Sequence, residues 1–285
     1  MPRIPNEMNQ LFLRNIFHPS DFTEESEIAF AHAMKIALAA KATLNIFHVH
    51  QQRDDEEWTD FPSVRNLLVR WKLLPKVISR DAVKKLGLGV RKIQSLKKDP
   101  VKSILQYLEK HQTDLIVLAT HQREGIDRWL HQAIAEPVAR NSRQMTLFIP
   151  QGKKGFVSLD DGEMRLRRIL IPVDQHPLPQ AAIAAASGLV ELINGEGTIF
   201  TILHVGSHHT LPSYCLSKGR SWKWETVVDS GMVMEQLLQT AEDRSADLIV
   251  MATFGHQGFL DALRGSTTEQ VLRQAPCPVL AVPVE

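Results

Sequence analysis

One stretch of this chain has the residue types to hold a phosphate. An apolar run ending at Ala252 continues as Thr253-Phe254-Gly255-His256-Gln257-Gly258 and reaches Gly265-Ser266-Thr267-Thr268-Glu269. Glycines at 255, 258 and 265 admit positive φ and close backbone approach, so successive N–H groups can point at one set of oxygens. Ser266 then opens a helical stretch, whose first N–H groups and dipole favour an anion. Asp174 follows Pro172-Val173 at the end of another apolar run, where its carboxylate is placed to accept from ribose hydroxyls. A plainer reading stands beside this one. Ser266 and Glu269 have capping-box spacing, and glycines after a strand often only turn the chain.

Other reactive residue types carry less. His204, His208 and His209 cluster near one strand end, and His48 lies near His50, but neither group brings the cysteines or carboxylates that complete a zinc site. His48 and His204 occupy matching positions in the repeat described below, which favours a shared structural role over a metal. No Gly-x-Ser-x-Gly elbow marks an activated nucleophile. After the first strand of each half the chain reads Pro19-Ser-Asp-Phe and Pro172-Val-Asp-Gln, unlike the Ser-Gly-Gly-x-Asp-Ser or His-x-Gly-His loops of adenylating enzymes. Cys215 and Cys277 belong to no CxxC or Cys/His group, and they suggest a reducing compartment.

The elements that must position these residues are written twice. An offset of 133 residues aligns Asp114–Pro150 with Asp247–Pro283 without a gap, and 13 of the 37 pairs are identical, from Asp114/Asp247 to Pro150/Pro283. Average composition would give about two or three. Ile16, Pro19 and Asp21 match Ile169, Pro172 and Asp174 at a slightly larger offset, so the first copy holds extra residues between Arg53 and Lys85. Within each copy short apolar runs alternate with amphipathic or alanine-rich stretches, the rhythm of βαβ units. Strands are expected at residues 15–18, 44–49, 90–94, 114–119 and 146–149, then at 168–173, 198–205, 224–228, 247–252 and 278–282. Helices are expected at 24–40, 101–111 and 132–141, then at 180–192, 232–244 and 267–274. Apolar residues run consecutively in the strands, as parallel strands covered on both faces require.

The predicted architecture is α/β: two tandem open parallel five-stranded sheets with helices on both faces. Residues 1–151 form one unit and 164–285 the other, joined by a linker at 152–163 that is rich in glycine and charge. The extra segment of the first copy carries Trp58, Phe61, Leu67, Leu68, Trp71 and Leu74, best read as a helix packed on its own unit. With 285 residues, 44% of them apolar, each copy can bury a core. Thirty-three basic against 32 acidic side chains leave no field for nucleic acid or an anionic membrane. The most apolar stretch, Ala181 to Val190, is too short to span a bilayer, and Glu7 without an apolar segment argues against a signal peptide. A cytoplasmic protein is expected.

These features resemble the universal stress protein family, an adenine nucleotide alpha hydrolase-like fold. Its nucleotide-binding members carry Gly-x2-Gly-x9-Gly-Ser/Thr after the fourth strand, and Ala252-x2-Gly255-x9-Gly265-Ser266 fits that spacing with alanine at the first glycine. Leu248-Ile-Val-Met-Ala-Thr and the closing Ala275-Pro-Cys-Pro-Val-Leu-Ala-Val-Pro also read like the family. The resemblance implies that Pro172, Val173, Asp174 and Val205 meet adenosine and that Met251 and Ala252 lie beside base and ribose. It further implies that Gly255, Gly265, Ser266 and Thr267 hold phosphates, with Mg accompanying an ATP. The methyl of Ala252 intrudes slightly on such a ligand. In the first copy Gly255, Gly265 and Ser266 are replaced by Gln122, Gln132 and Ala133, with Glu124 added, so phosphate binding is expected to be lost there.

The function expected is a stress-response protein binding ATP or a related adenine nucleotide in its second copy, with no catalytic residue assigned and at most weak ATP hydrolysis. The rivals are a nucleotide-free scaffold and a metal-assisted hydrolase using His204, His208 and His209. Family members pair through their last strands, so the copies are expected to pair within one chain through residues 145–150 and 278–284. A homodimer would be a further step.

Overall fold

The computed structural model describes residues 11–21, 26–49, 63–76, 82–96, 99–120, 138, 142–153, 155–218, 221–254 and 267–284, with the side chains of 267–270 left aside. The chain divides into two compact units, Leu13–Met164 and a second beginning at Arg165.

The first unit is built from β1 (Asn15–Pro19), α1 (Glu27–Ala40), β2 (Thr43–Val49), α2 (Val64–Arg70), the short α3 (Ala82–Lys85), β3 (Gly89–Ser95), α4 (Pro100–Lys110), β4 (Leu115–Thr120) and β5 (Thr146–Pro150). Its strands lie in the order β3-β2-β1-β4-β5 and every pairing is parallel. Helices cover both faces. His18 on β1 meets Phe30 of α1 on one side, while Phe17 packs against Tyr107 of α4 on the other. Alanine at 29, 31, 33 and 37 lets α1 lie close to the sheet, and that helix is buried over most of its length. Lys41 ends it in the left-handed region, with the N–H groups of Lys41 and Ala42 donating to the carbonyls of Leu38 and Ala37. The strand positions and the helices at α1 and α4 agree with the sequence reading to within a few residues. The expected helix at 132–141 lies almost wholly outside the described residues.

The second unit repeats the plan with β6 (Arg168–Pro172), α5 (Gln180–Leu192), β7 (Ile199–Val205), β8 (Lys223–Asp229), α6 (Val233–Asp243), β9 (Leu248–Phe254), α7 (Thr267–Gln274) and β10 (Val279–Val284). Strand order is β8-β7-β6-β9-β10, again all parallel. Leu170, Leu203, Ile249, Met251 and Val279 from the sheet join Leu237 and Ala241 of α6 and Val271 of α7 in one buried cluster. Cys277 sits in that cluster, where burial pushes its thiol up to about 12, so it packs as a small apolar group and is not a nucleophile at neutral pH.

The duplicated aspartates have a structural role that spacing did not reveal. Asp114 Oδ2 accepts from the backbone N–H groups of Arg14 and Asn15 at 2.7 and 2.8 Å. Asp247 Oδ2 accepts from Arg167 and Arg168 at 2.8 and 2.9 Å. Each carboxylate pins the start of the first strand of its unit to the start of the fourth, which fixes the register at the sheet's amino end.

Most of the stretch whose composition reads as a linker is instead part of the first unit. Val157 and Met164 form an antiparallel bridge, and Phe156 and Val157 are buried. His32 Nδ1 donates to the Ile28 carbonyl, which leaves Nε2 to accept the Val157 N–H at 3.2 Å. Trp71, just past α2, donates Nε1–H to the Leu159 carbonyl at 3.1 Å, and the Lys35 ammonium lies 5.5 Å from its ring centroid. Two glycines make this packing fit: a Cβ on Gly155 would run into the His32 ring, and one on Gly162 would run into the Trp71 ring. The extra segment of the first copy, as far as it is described, thus packs on its own unit through Val64, Leu67, Leu68, Trp71 and Leu74. Trp58 and Phe61 lie outside the described residues. No helix among the described residues is long and apolar enough to cross a membrane.

Candidate functional site

In the second unit β6 is central, and the chain leaves it toward β7 on one side and reaches β9 on the other. β6 keeps register with β7 as far as Pro172↔Leu203, but with β9 only over Ile169↔Leu248 and Leu170↔Ile249. Beyond Leu170 the two strands part, and this is the switch point at which open α/β sheets bind ligands. The carboxyl ends around it carry Pro172, Val173 and Asp174 from β6, Val205 from β7, and Met251 and Ala252 from β9. Six of the ten sequence-derived site residues therefore converge on one edge. Gly255, Gly265 and Ser266 lie outside the described residues, and Thr267 is described only as the start of α7.

Exposure grades across this edge. Val173 and Met251 are buried, Pro172, Val205 and Ala252 are half-buried, and Asp174 is exposed. The Val173 N–H donates to the Leu203 carbonyl at 2.8 Å, continuing the β6–β7 ladder one step past the strand. One oxygen of Asp174, Oδ1, accepts the Gln175 N–H at 2.7 Å, which sets the carboxylate's rotamer and leaves the other oxygen to accept from a ligand hydroxyl. Ala252 pairs with Val282, so its methyl sits on a regular strand and not in the loop beyond.

The histidines resolve into strand ties. His204 is buried; its Nδ1 lies 3.2 Å from the Val173 carbonyl and is therefore the donor, while Nε2 lies 2.9 Å from Thr210 Oγ1. His48 Nδ1 makes the same bond to the Ser20 carbonyl at 2.8 Å, so the repeated histidine links the second strand to the residue following the first strand in both copies. His208 and His209 stand exposed on a single 3-10 turn, His208–Thr210. Among the described residues no three His, Cys, Asp or Glu side chains are grouped to hold a metal.

Sequence reasoning missed the polar groups around Asp174. Gln175 Nε2 donates to the Thr210 carbonyl at 3.2 Å, and Gln180 exchanges two hydrogen bonds with the backbone of Cys215, 3.2 Å to its carbonyl and 2.9 Å from its N–H. No spacing rule connects residues 35 positions apart in two irregular loops.

Two units, each an open parallel sheet covered by helices and built on the same plan, define the class: a duplicated open-sheet α/β protein. The chain belongs to the Universal stress protein family, whose profile matches residues 13–150 and 216–283, more than half of its length. It is 27% identical over 144 residues to Universal stress protein MJ0531 of Methanocaldococcus jannaschii, covering 43% of this chain and 85% of that protein. It is 47% identical over 53 residues to Universal stress protein A homolog 1 of Coxiella burnetii, covering 19% of this chain and 36% of that one. Among solved structures, a universal stress protein from Archaeoglobus fulgidus superposes with a TM-score of 0.63 at 16% identity, over 96% of this chain and 98% of that one. That likeness speaks for the fold.

Proposed function

We propose that the protein is a stress-response protein that binds ATP or a related adenine nucleotide in its second unit, at one site per chain. The observation that carries the reading is the exposed Asp174 carboxylate, fixed by its own loop at the point where β6 and β9 part. Adenosine would meet Pro172, Val173, Asp174 and Val205, with Met251 and Ala252 beside base and ribose. Phosphates would meet Gly255, Gly265, Ser266 and Thr267, where glycine freedom and the start of α7 supply backbone donors. Mg, if it accompanies the nucleotide, would be held by the phosphates. No side chain here is assigned a catalytic step.

Equilibrium binding of ATP tests the proposal, with Gly265→Val and Asp174→Ala as controls. Binding to the intact protein, weakened by about tenfold or more in each variant, is expected from the loss of one charged or backbone contact set. Absence of binding at millimolar ATP, or binding unchanged from the intact protein in both variants, would leave the scaffold reading in its place.

A further inference from the structure

The loop that follows β7 does more than return the chain to β8. Residues 206–218 are tied to the loop after β6 directly through Gln175, indirectly through His204, and to the start of α5 through Gln180. His204 Nδ1 holds the Val173 carbonyl, and Nε2 meets the Thr210 hydroxyl. Thr210 closes a capping box with Ser207: its hydroxyl oxygen accepts the Ser207 N–H at 3.1 Å, and the Ser207 hydroxyl accepts the Thr210 N–H. The Thr210 carbonyl accepts from Gln175, whose own N–H holds Asp174. Farther along, Cys215 is bracketed by Gln180 at the start of α5, and the Ser217 carbonyl accepts from Trp224 Nε1 at 3.0 Å.

Gly206 shows how closely this is built. A Cβ there would lie 2.7 Å from His204 Nε2 and 2.8 Å from Thr210 Oγ1, inside the hydrogen bond that joins them. Only glycine lets the backbone pass that contact. A closed path results, from Asp174 through Gln175 to Thr210, then His204, and back to the Val173 carbonyl. Both residues that the proposed adenosine site takes from the β6 loop are members of it.

We propose that Thr210 and Gln175 are positioning residues of the second unit's site: through His204 they clamp the loop after β7 onto the loop after β6 and hold the Asp174 carboxylate ready for the nucleoside part of a ligand. The inference rests on the nucleotide reading of this site. The clamp acts on the nucleoside and leaves the phosphate loop alone. It also gives the second copy an order before ligand arrives, so less entropy is lost on binding.

The test separates the two proposals. Binding of ATP and of adenosine is measured on the intact protein and on Thr210→Val, Thr210→Ser and Gln175→Ala, alongside backbone amide exchange at Gln175 without ligand. Thr210→Val, which keeps the shape and removes the hydroxyl, is expected to weaken ATP and adenosine by the same factor, about five- to tenfold, the size of one lost hydrogen bond. Thr210→Ser is expected to restore both, a rescue that general loss of packing would not produce. Gln175→Ala is expected to weaken both and to speed exchange of the backbone amide at position 175. If the intact protein binds ATP while Thr210→Val and Gln175→Ala match it, or Thr210→Ser is as weak as Thr210→Val, the clamp is overturned and the nucleotide site stands. If the intact protein binds neither ligand, the nucleotide reading falls. The clamp then survives only as loop order, supported if Thr210→Val speeds Gln175 exchange and overturned if exchange is unchanged.

Discussion

At the residue scale the two copies differ in what they place near the end of the first strand. Ile171, buried on β6, is matched on β1 by His18, also buried, whose Nδ1 donates to the Val117 carbonyl at 3.0 Å while Nε2 finds no partner among the described residues. Desolvation pushes His18 down to about 4, partly offset by that backbone bond and by Asp21, and it pushes His32 to about 4 as well. The unfolded chain takes up protons near the ordinary histidine value of 6.5, above the folded values. Between those limits the unfolded state binds more protons, so stability is complete above pH 6.5 and falls as pH drops toward 4. Replacing His18 with the isoleucine of the other copy removes one such proton and an unpaired buried nitrogen. Urea unfolding should then show the advantage of His18→Ile growing by about 2 kcal/mol between pH 7 and pH 4.5. A constant difference across that range would mean that His18 takes up its proton as readily in the folded protein as in the unfolded chain.

At the scale of elements the strands and the longer helices were legible because parallel strands buried on both faces write themselves as continuous apolar runs, such as Leu248-Ile-Val-Met. The hairpin at 155–164 was not. A tight turn and a linker draw on the same residues, glycine, aspartate and lysine, and the difference lies in a tryptophan and a histidine more than 80 positions away. Gly162 carries the contact: its φ of +69° already disfavours a side chain, and a Cβ would meet the Trp71 ring at 2.5 Å. Gly152, with a φ of +71° and nothing within 4 Å, has the same backbone without the neighbour. Gly152→Ala should cost only the conformational strain, about 1 kcal/mol, whereas Gly162→Ala should cost about 2 kcal/mol more because the hairpin must lift from Trp71. Denaturant unfolding of the two variants measures the difference, and equal losses would show that the hairpin yields without cost. The candidate site was half legible by the same logic. The Pro172-Val-Asp174 strand end could be read from the repeat, the glycine-spaced residues lie outside the described ones, and Gln175, Thr210 and Gln180 are ordinary polar residues until the fold brings them together.

At the scale of the whole chain, duplication has left two units with different boundaries from those that the repeat alone implies. The aligned copies end at Pro150 and Pro283, yet the first unit continues through Met164, because the hairpin fills a place on α1 and α2 that only the first copy possesses. That place is lined by His32 and Trp71, and the hairpin satisfies both their polar atoms while burying Phe156 and Val157. A first-unit fragment ending at Met164 keeps these contacts, and one ending at Gln151 loses all of them. The shorter fragment leaves the apolar surface of Trp71 bare and discards two buried side chains, a loss of about 3 kcal/mol or more at roughly 1.5–3 kcal/mol each. For a unit of this size that corresponds to a melting temperature lower by about 10 °C. Thermal unfolding of the two fragments, followed by circular dichroism, makes the comparison. The longer fragment should melt in one cooperative step at the higher temperature. If the two melt together, the hairpin adds nothing to the first unit and residues 152–164 act as a connector after all.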